Sequence, residues 1–152
     1  MSETIEKICQ KKGVKLTDQR KIIAKVLSES KVFNCSAKTL WDILSDISRC
    51  DWVPSVDEIT LEGVSRVFEM EGIGQVRENI LSLDNENMKL QYSAVETPNP
   101  IEHHLATMQV VELDSESCEL NWTTAIDPEI FSEAVHHGML ISIKGLEEVI
   151  SD

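Results

Sequence analysis

The sequence predicts an α+β fold in which a curved antiparallel sheet of about seven strands wraps around a long C-terminal helix. Two observations lead to this prediction. Residues 56–126 contain six successive segments of strand character joined by short links of turn residues, and residues 127–150 carry apolar side chains at helical spacing. With 152 residues, of which 41% are hydrophobic, the chain has the size and composition of one globular domain.

The elements follow in a simple order. The first predicted strand is "KVFNC", residues 31–35, and two short helices follow it: "SAKTLWDILSDI", capped by Ser36, and a turn or short helix in "CDWVPSV" that ends at Pro54. Six strands follow: "VDEITLE", "SRVFEM", "GQVRENILSL", "MKLQYSAVE", "IEHHLATMQVVEL" and "CELNWTTAI". Their turn-rich links predict an antiparallel meander of hairpins. The last helix is predicted to have Asp127 as its cap, Pro128 at its first position, and an end near Ile150.

The charge of the chain is unevenly distributed. The whole chain has a net charge of −13, whereas residues 1–36 hold eight Lys or Arg and four acids, a net charge of +4, which leaves −17 for the rest. This break near Ser28 to Lys31 predicts a basic helical extension over residues 1–30 and a separate domain over residues 31–152. Two short helices are predicted in the extension, Glu3 to Lys12 and Asp18 to Ser28, with Gly13 ending the first.

Composition and spacing also exclude several classes of protein. A strongly negative surface disfavours nucleic acid and anionic membranes as partners. No apolar stretch approaches the roughly 20 residues of a membrane span, and the first residues lack the apolar core of a signal peptide, so a cytoplasmic protein is expected. The four cysteines, Cys9, Cys35, Cys50 and Cys118, have neither metal-site nor disulfide-framework spacing, and we predict no metal site and no cofactor.

Several local sequences resemble one superfamily. "SAKTLWDILSDISRCDWVPSV", "GIGQVRENILSLD", "ATMQV", "LNWTTAID" and "KGLEEVI" are similar to segments of the START-related, birch-pollen-allergen-like helix-grip proteins (SRPBCC), in particular the polyketide cyclase/dehydrase branch. The resemblance covers about residues 31–151 and implies the helix-grip fold with an internal cavity. "IEKICQKKGVKLTDQRKIIAKVLSES" instead resembles the N-terminal helices of ferric uptake regulator family repressors, and this likeness ends at Lys31.

Strand alternation gives candidate site residues once the resemblance says which face meets the cavity. That face is predicted to carry Val76, Glu78, Ile80, Tyr92, Ala94, His104, Ala106, Met108, Trp122 and Thr124. Two of these residues, Glu78 and His104, are ionisable groups in an otherwise apolar chamber. They would anchor a polar group of a ligand, or act together as acid and base.

Three hypotheses about function result. The first is binding of a hydrophobic or lipid-like small molecule, with Trp122, Tyr92, Met108 and the last helix as walls. The second is an enzyme of the polyketide cyclase or dehydratase type, with Glu78 and His104 as catalytic residues. The third is a regulatory or interaction module that uses the basic N-terminal helices.

Overall fold

A computed structural model of the chain describes residues 24–151. Its seven strands are β1 (Lys25–Phe33), β2 (Val56–Glu62), β3 (Ser65–Met70), β4 (Gly74–Asp84), β5 (Lys89–Glu96), β6 (His103–Asp114) and β7 (Ser117–Asp127). The helices are α1 (Ala37–Ser45), a 3-10 turn (Glu129–Phe131) and α2 (Ser132–Ser151). The strands form one antiparallel sheet in the order β1-β7-β6-β5-β4-β3-β2, which confirms the predicted α+β architecture.

The sheet has one buried face because its strands alternate between apolar and polar side chains. In β7, Leu120, Trp122, Thr124 and Ile126 are buried, and the residues between them are half-buried. The strands β2 to β7 lie within one or two residues of their predicted bounds, since each is delimited by a turn. Bulges interrupt the pairing at several points, including two between β4 and β5, and bulges bend and twist a strand.

Helix α1 covers one end of the concave face. Ser36 caps it by accepting a hydrogen bond from the Thr39 amide at 3.1 Å, as predicted from the sequence. Its apolar side, which includes Leu40, Trp41 and Leu44, is buried in the main core against side chains of β6 and β7. The Trp41 indole also donates to the Asn85 side chain at 3.0 Å, which ties α1 to the β4–β5 hairpin.

Helix α2 crosses the same concave face and has two different halves. Its C-terminal half packs in the main core through Ile143, Leu146, Val149 and Ile150. Gly145 makes this approach possible, because a Cβ atom there would overlap the carbonyl oxygen of Trp52 and lie 2.9 Å from its carbonyl carbon. The N-terminal half lies over the wider part of the sheet, where a cavity remains. No helix in the described residues combines the length and apolar composition needed to cross a membrane.

The predictions for the start of the sheet need correction. Strand β1 covers Lys25–Phe33, so the predicted helix from Asp18 to Ser28 is wrong for its last four residues, and the predicted strand "KVFNC" begins too late and ends too late. The strand carries polar residues on the face that meets α2. Lys25 and Lys31 form ion pairs with Glu129 and Glu147, and Glu29 is hydrogen-bonded to His136 at 2.6 Å. The helix predicted from Glu3 to Lys12 and the start of the Asp18 helix lie outside the described residues.

Two predictions about helices also differ from the structure. Asp127 is the last residue of β7 and does not cap the final helix, which begins as an α-helix only at Ser132. Pro128 precedes the 3-10 turn between the two elements. Between β1 and β2 the described chain has one α-helix rather than two. The segment "CDWVPSV" forms turns at residues 51–52 and 54–55, and β2 begins directly after them at Val56.

We expect Gly145→Ala to destabilise the fold, because the added methyl group would force α2 away from the Trp52 backbone. The free energy of unfolding should fall by about 1–3 kcal/mol, the usual range for overpacking. Gly138→Ala is the matched control in the same helix, since a Cβ there meets nothing within 4 Å. It should raise the free energy of unfolding by about 0.5–1 kcal/mol through helix propensity. Urea denaturation of both variants measures the difference, and equal effects would refute the close packing.

Candidate functional site

A cavity of about 560 Å³ lies between the concave face of the sheet and the N-terminal half of α2. Its walls are mainly apolar and include Val56, Phe68, Val76, Tyr92, Trp122 and Met139. This volume and character are typical of small-molecule sites.

The mouth of the cavity lies between two loops. The β3–β4 loop contributes Ile73 and the β5–β6 loop contributes Asn99, and both residues are exposed. The loops touch, because a Cβ atom on Gly74 would lie 2.8 Å from the Pro98 side chain. Gly74 has a φ of 116°, which other residues rarely adopt, so a glycine is needed here both for the backbone angle and for the contact.

Seven of the ten predicted ligand-binding residues line this cavity: Val76, Glu78, Tyr92, Ala94, His104, Trp122 and Thr124. The other three, Ile80, Ala106 and Met108, lie elsewhere on the same face of the sheet. Ala106 and Met108 are buried in the main core with α1, and Ile80 packs against that core. They do not line the cavity because α1 and the C-terminal half of α2 fill that end of the concave face.

Two tryptophans meet at the wall of the cavity. The rings of Trp52 and Trp122 pack edge to face, with centroids 6.3 Å apart and planes at 66°. Trp52 belongs to the same loop that Gly145 contacts, so this wall is fixed by the close-packed half of α2. Both indole nitrogens are fully buried, which leaves the rings, rather than the N–H groups, facing the cavity.

A buried ion pair is the main polar feature of the cavity. Arg66 Nε donates to Glu78 Oε1 at 2.7 Å, and the side chains are only 9% and 12% exposed. Arg66 also donates through Nη1 to the Ile47 carbonyl at 3.3 Å, and its guanidinium carbon lies 4.7 Å from the centre of the Tyr92 ring. Burial, and to a lesser extent the charge of Glu78, raise the pKa of the Tyr92 phenol, so its hydroxyl stays protonated.

His104 lies where β5 and β6 separate. Their pairing ends at Tyr92 and Ala106, and beyond that point the Ala94 amide donates to His104 Nδ1 at 2.9 Å, while the Ser93 hydroxyl donates to the His104 carbonyl. Burial, and secondarily the neighbouring His103, lower the pKa of His104 to about 4. The ring is therefore neutral at pH 7. Because Nδ1 accepts a hydrogen bond, the proton is on Nε2.

Arg66 is the important residue that sequence reasoning missed. The segment "SRVFEM" alternates, and Arg66 shares its inward face with Phe68 and Met70, which was the available signal. What the sequence lacked was the register that sets Arg66 directly opposite Glu78 on β4. An arginine on an apolar face, with an acid directly across from it, indicates a buried pair.

Other features of residues 24–151 add no chemistry to this site. No group of three or more His, Cys, Asp or Glu side chains in this part of the chain could hold a metal ion. An open surface groove between β1 and α2 is lined by residues such as Leu140 and Lys144, and the Lys31–Glu147 ion pair lies within it.

Comparison with known proteins agrees with this architecture. Residues 25–145 match the model of a family described as polyketide cyclase / dehydrase and lipid transport. No curated protein matches significantly. An uncharacterised Bacillus thuringiensis protein has a similar structure, with 20% identity, a TM-score of 0.76, and coverage of 84% of this chain and 100% of that one.

Two further solved structures share the fold. A START superfamily protein from Mycobacterium smegmatis is 14% identical, with a TM-score of 0.71 and coverage of 83% of this chain and 97% of that one. Norcoclaurine synthase from Thalictrum flavum is 18% identical, with a TM-score of 0.69 and coverage of 86% and 88%. The sheet, the long helix and the family match together place this chain in the polyketide cyclase/dehydrase and lipid transport family, a START-like (SRPBCC) group with the helix-grip fold.

Proposed function

We propose that this protein binds an apolar small molecule in the cavity between the sheet and α2. The observation that supports this most is the cavity itself, about 560 Å³ with mostly apolar walls in a chain that has only seven aromatic residues to fill it. Apolar surface that faces such a space gains free energy when a ligand removes it from water. The description of the matching family, which includes lipid transport, is consistent with this function.

The polar groups of the cavity favour binding over catalysis. The enzyme hypothesis makes Glu78 and His104 an acid and a base, but Glu78 pairs with Arg66 and His104 accepts from the Ala94 amide. The basic nitrogen of His104 is already occupied by a structural hydrogen bond, so only its N–H can face a ligand. A cyclase or dehydratase reaction would need one of these groups to take up a proton, whereas a binding site needs only fixed donors and acceptors.

The third hypothesis, an interaction module formed by the basic N-terminal helices, concerns residues outside the described part of the chain and stays a prediction. The same holds for the division into residues 1–30 and 31–152. The described sheet begins at Lys25, and therefore includes the last residues of that proposed extension.

Binding of a neutral fluorescent probe tests the proposal. We expect N-phenyl-1-naphthylamine to bind the wild-type protein with micromolar affinity and enhanced emission. Ala94→Phe, which adds a ring at the cavity wall, should weaken binding by about tenfold or more, equivalent to about 1.4 kcal/mol. The control Ala125→Phe adds the same ring on the opposite face of the sheet, where Ala125 pairs with Leu105. Its affinity should equal that of wild type, and absence of wild-type binding would refute the proposal.

The burial of the His104 imidazole predicts a loss of stability in acid. The folded pKa of about 4 lies below the ordinary value of 6.5, so the unfolded state binds more protons between these values and stability falls as pH falls from 6.5 to 4. Relative to His104→Gln, which does not titrate, the wild type should lose roughly 3 kcal/mol over this window. Chemical denaturation at several pH values measures the two profiles.

The neighbouring His103→Gln variant is the control, because His103 lies on the other face of the strand. It should keep most of the wild-type loss of stability, because burial is the main cause of the low pKa of His104 and His103 is only the secondary one. Parallel profiles for wild type and His104→Gln would show that His104 is as easily protonated in the folded protein as in the unfolded chain. In that case the nitrogen would be available as a base, and the catalytic hypothesis would regain support.

A further inference from the structure

Two polar atoms of the Arg66–Glu78 pair, which lines the cavity, make no hydrogen bond within residues 24–151. Arg66 uses Nε for Glu78 and Nη1 for the Ile47 carbonyl, and its Nη2 amino group has no partner among residues 24–151. Glu78 accepts through Oε1 only, so Oε2 has no partner in that same range. Neither atom is completely buried, unlike the indole nitrogens of Trp52 and Trp122, and both residues line the cavity. One donor and one acceptor of this cavity-lining pair are therefore unused.

The charges around the cavity are compensated. Arg66 is paired with Glu78, and the other arginine of the lining, Arg49, makes two hydrogen bonds with Asp51, at 2.7 and 2.9 Å. Among residues 24–151, no lysine lines the cavity, and its two histidines are His104, which is neutral at pH 7, and His137. The remaining acid, Glu71, is exposed at the mouth. A carboxylate in this cavity would therefore meet neither a lysine nor an unpaired arginine among the described residues that line it, and its loss of hydration would be poorly compensated.

We infer that the ligand carries a neutral hydroxyl group on an apolar body, and that the Arg66–Glu78 pair binds this hydroxyl and discriminates against the corresponding carboxylate. This inference rests on the proposed function. The hydroxyl oxygen accepts from Arg66 Nη2 and its hydrogen is donated to Glu78 Oε2, so both unused groups of the pair are satisfied at once. A carboxylate lacks the hydrogen for Glu78 and adds a like charge beside it. Unpaired polar groups in such a site cause strong discrimination between ligands.

Three probes with the same apolar body test this inference: 1-butylpyrene, 4-(1-pyrenyl)butanol and 4-(1-pyrenyl)butanoate. Their dissociation constants are measured by fluorescence titration of the full chain at pH 7.5. We expect the alcohol to bind at least tenfold more tightly than the carboxylate. If none of the three binds, the proposed function fails. If 1-butylpyrene binds but the carboxylate binds as tightly as the alcohol, only the present inference fails.

Glu78→Gln gives the sharper test, because it leaves the charge of Arg66 uncompensated. The preference should then reverse, so that the carboxylate binds more tightly than the alcohol. A purely structural role for Glu78 would weaken all three probes alike. Glu69→Gln is the matched control: it removes the same charge from an exposed position of β3 outside the cavity lining, and should leave the alcohol preference unchanged within about twofold. An unchanged preference in Glu78→Gln would overturn the inference.

A double variant covers the case in which Glu78→Gln does not fold. Arg66→Gln combined with Glu78→Gln removes both charges together, so no unpaired charge is left buried. Its affinity for 1-butylpyrene should stay close to that of wild type, whereas the alcohol should lose roughly tenfold, the effect of one good hydrogen-bonded contact. Equal retention of both probes would show that the pair does not bind the hydroxyl. Circular dichroism and thermal melting confirm that each variant is folded.

Discussion

The close contact between Gly145 and the Trp52 backbone is the constraint on which the rest of this structure depends. A side chain at position 145 would push α2 off the sheet, and the helix could then no longer bury Leu146 and Ile143 in the main core. Because the sheet is curved, a straight helix that is packed tightly at one end stands farther from the sheet at the other. The cavity is therefore a consequence of how the helix is anchored, and it needs no special residue to hold it open.

The buried ion pair depends on the same geometry. Arg66 and Glu78 are register partners on β3 and β4, and a bulge in the pairing of β4 with β5 lies next to Glu78. Bulges commonly redirect a side chain, and here the acid meets the guanidinium over the Tyr92 ring. Two charges in an apolar chamber are costly unless they satisfy each other. This pairing explains how an otherwise apolar site tolerates them, and it is the basis of the selectivity that we propose.

The sequence was informative about strands and less so about their surroundings. Strands β2 to β7 alternate cleanly and end at turn residues, so their bounds and the inward set containing Tyr92 and Trp122 could be predicted. Strand β1 has polar residues on its inward face, and Val26 and Leu27 gave a helical pattern instead. Its polar contacts with α2, such as the hydrogen bond between Glu29 and His136, are tertiary contacts that no local pattern contains. Arg66 was missed for the same reason, since its partner is set by register.

The distinction between binding and catalysis rests on which hydrogen bonds are already made. Glu78 and His104 occupy the inward positions that alternation predicted for them, and residue type alone would allow either role. His104 instead completes the backbone pairing of Ala94 at the point where β5 and β6 separate, so the imidazole replaces a missing strand partner. Protonation of that ring would remove the only acceptor that the structure offers this amide among residues 24–151. A group with such a structural role is a poor proton acceptor and a good fixed donor, which suits a site that holds its ligand unchanged.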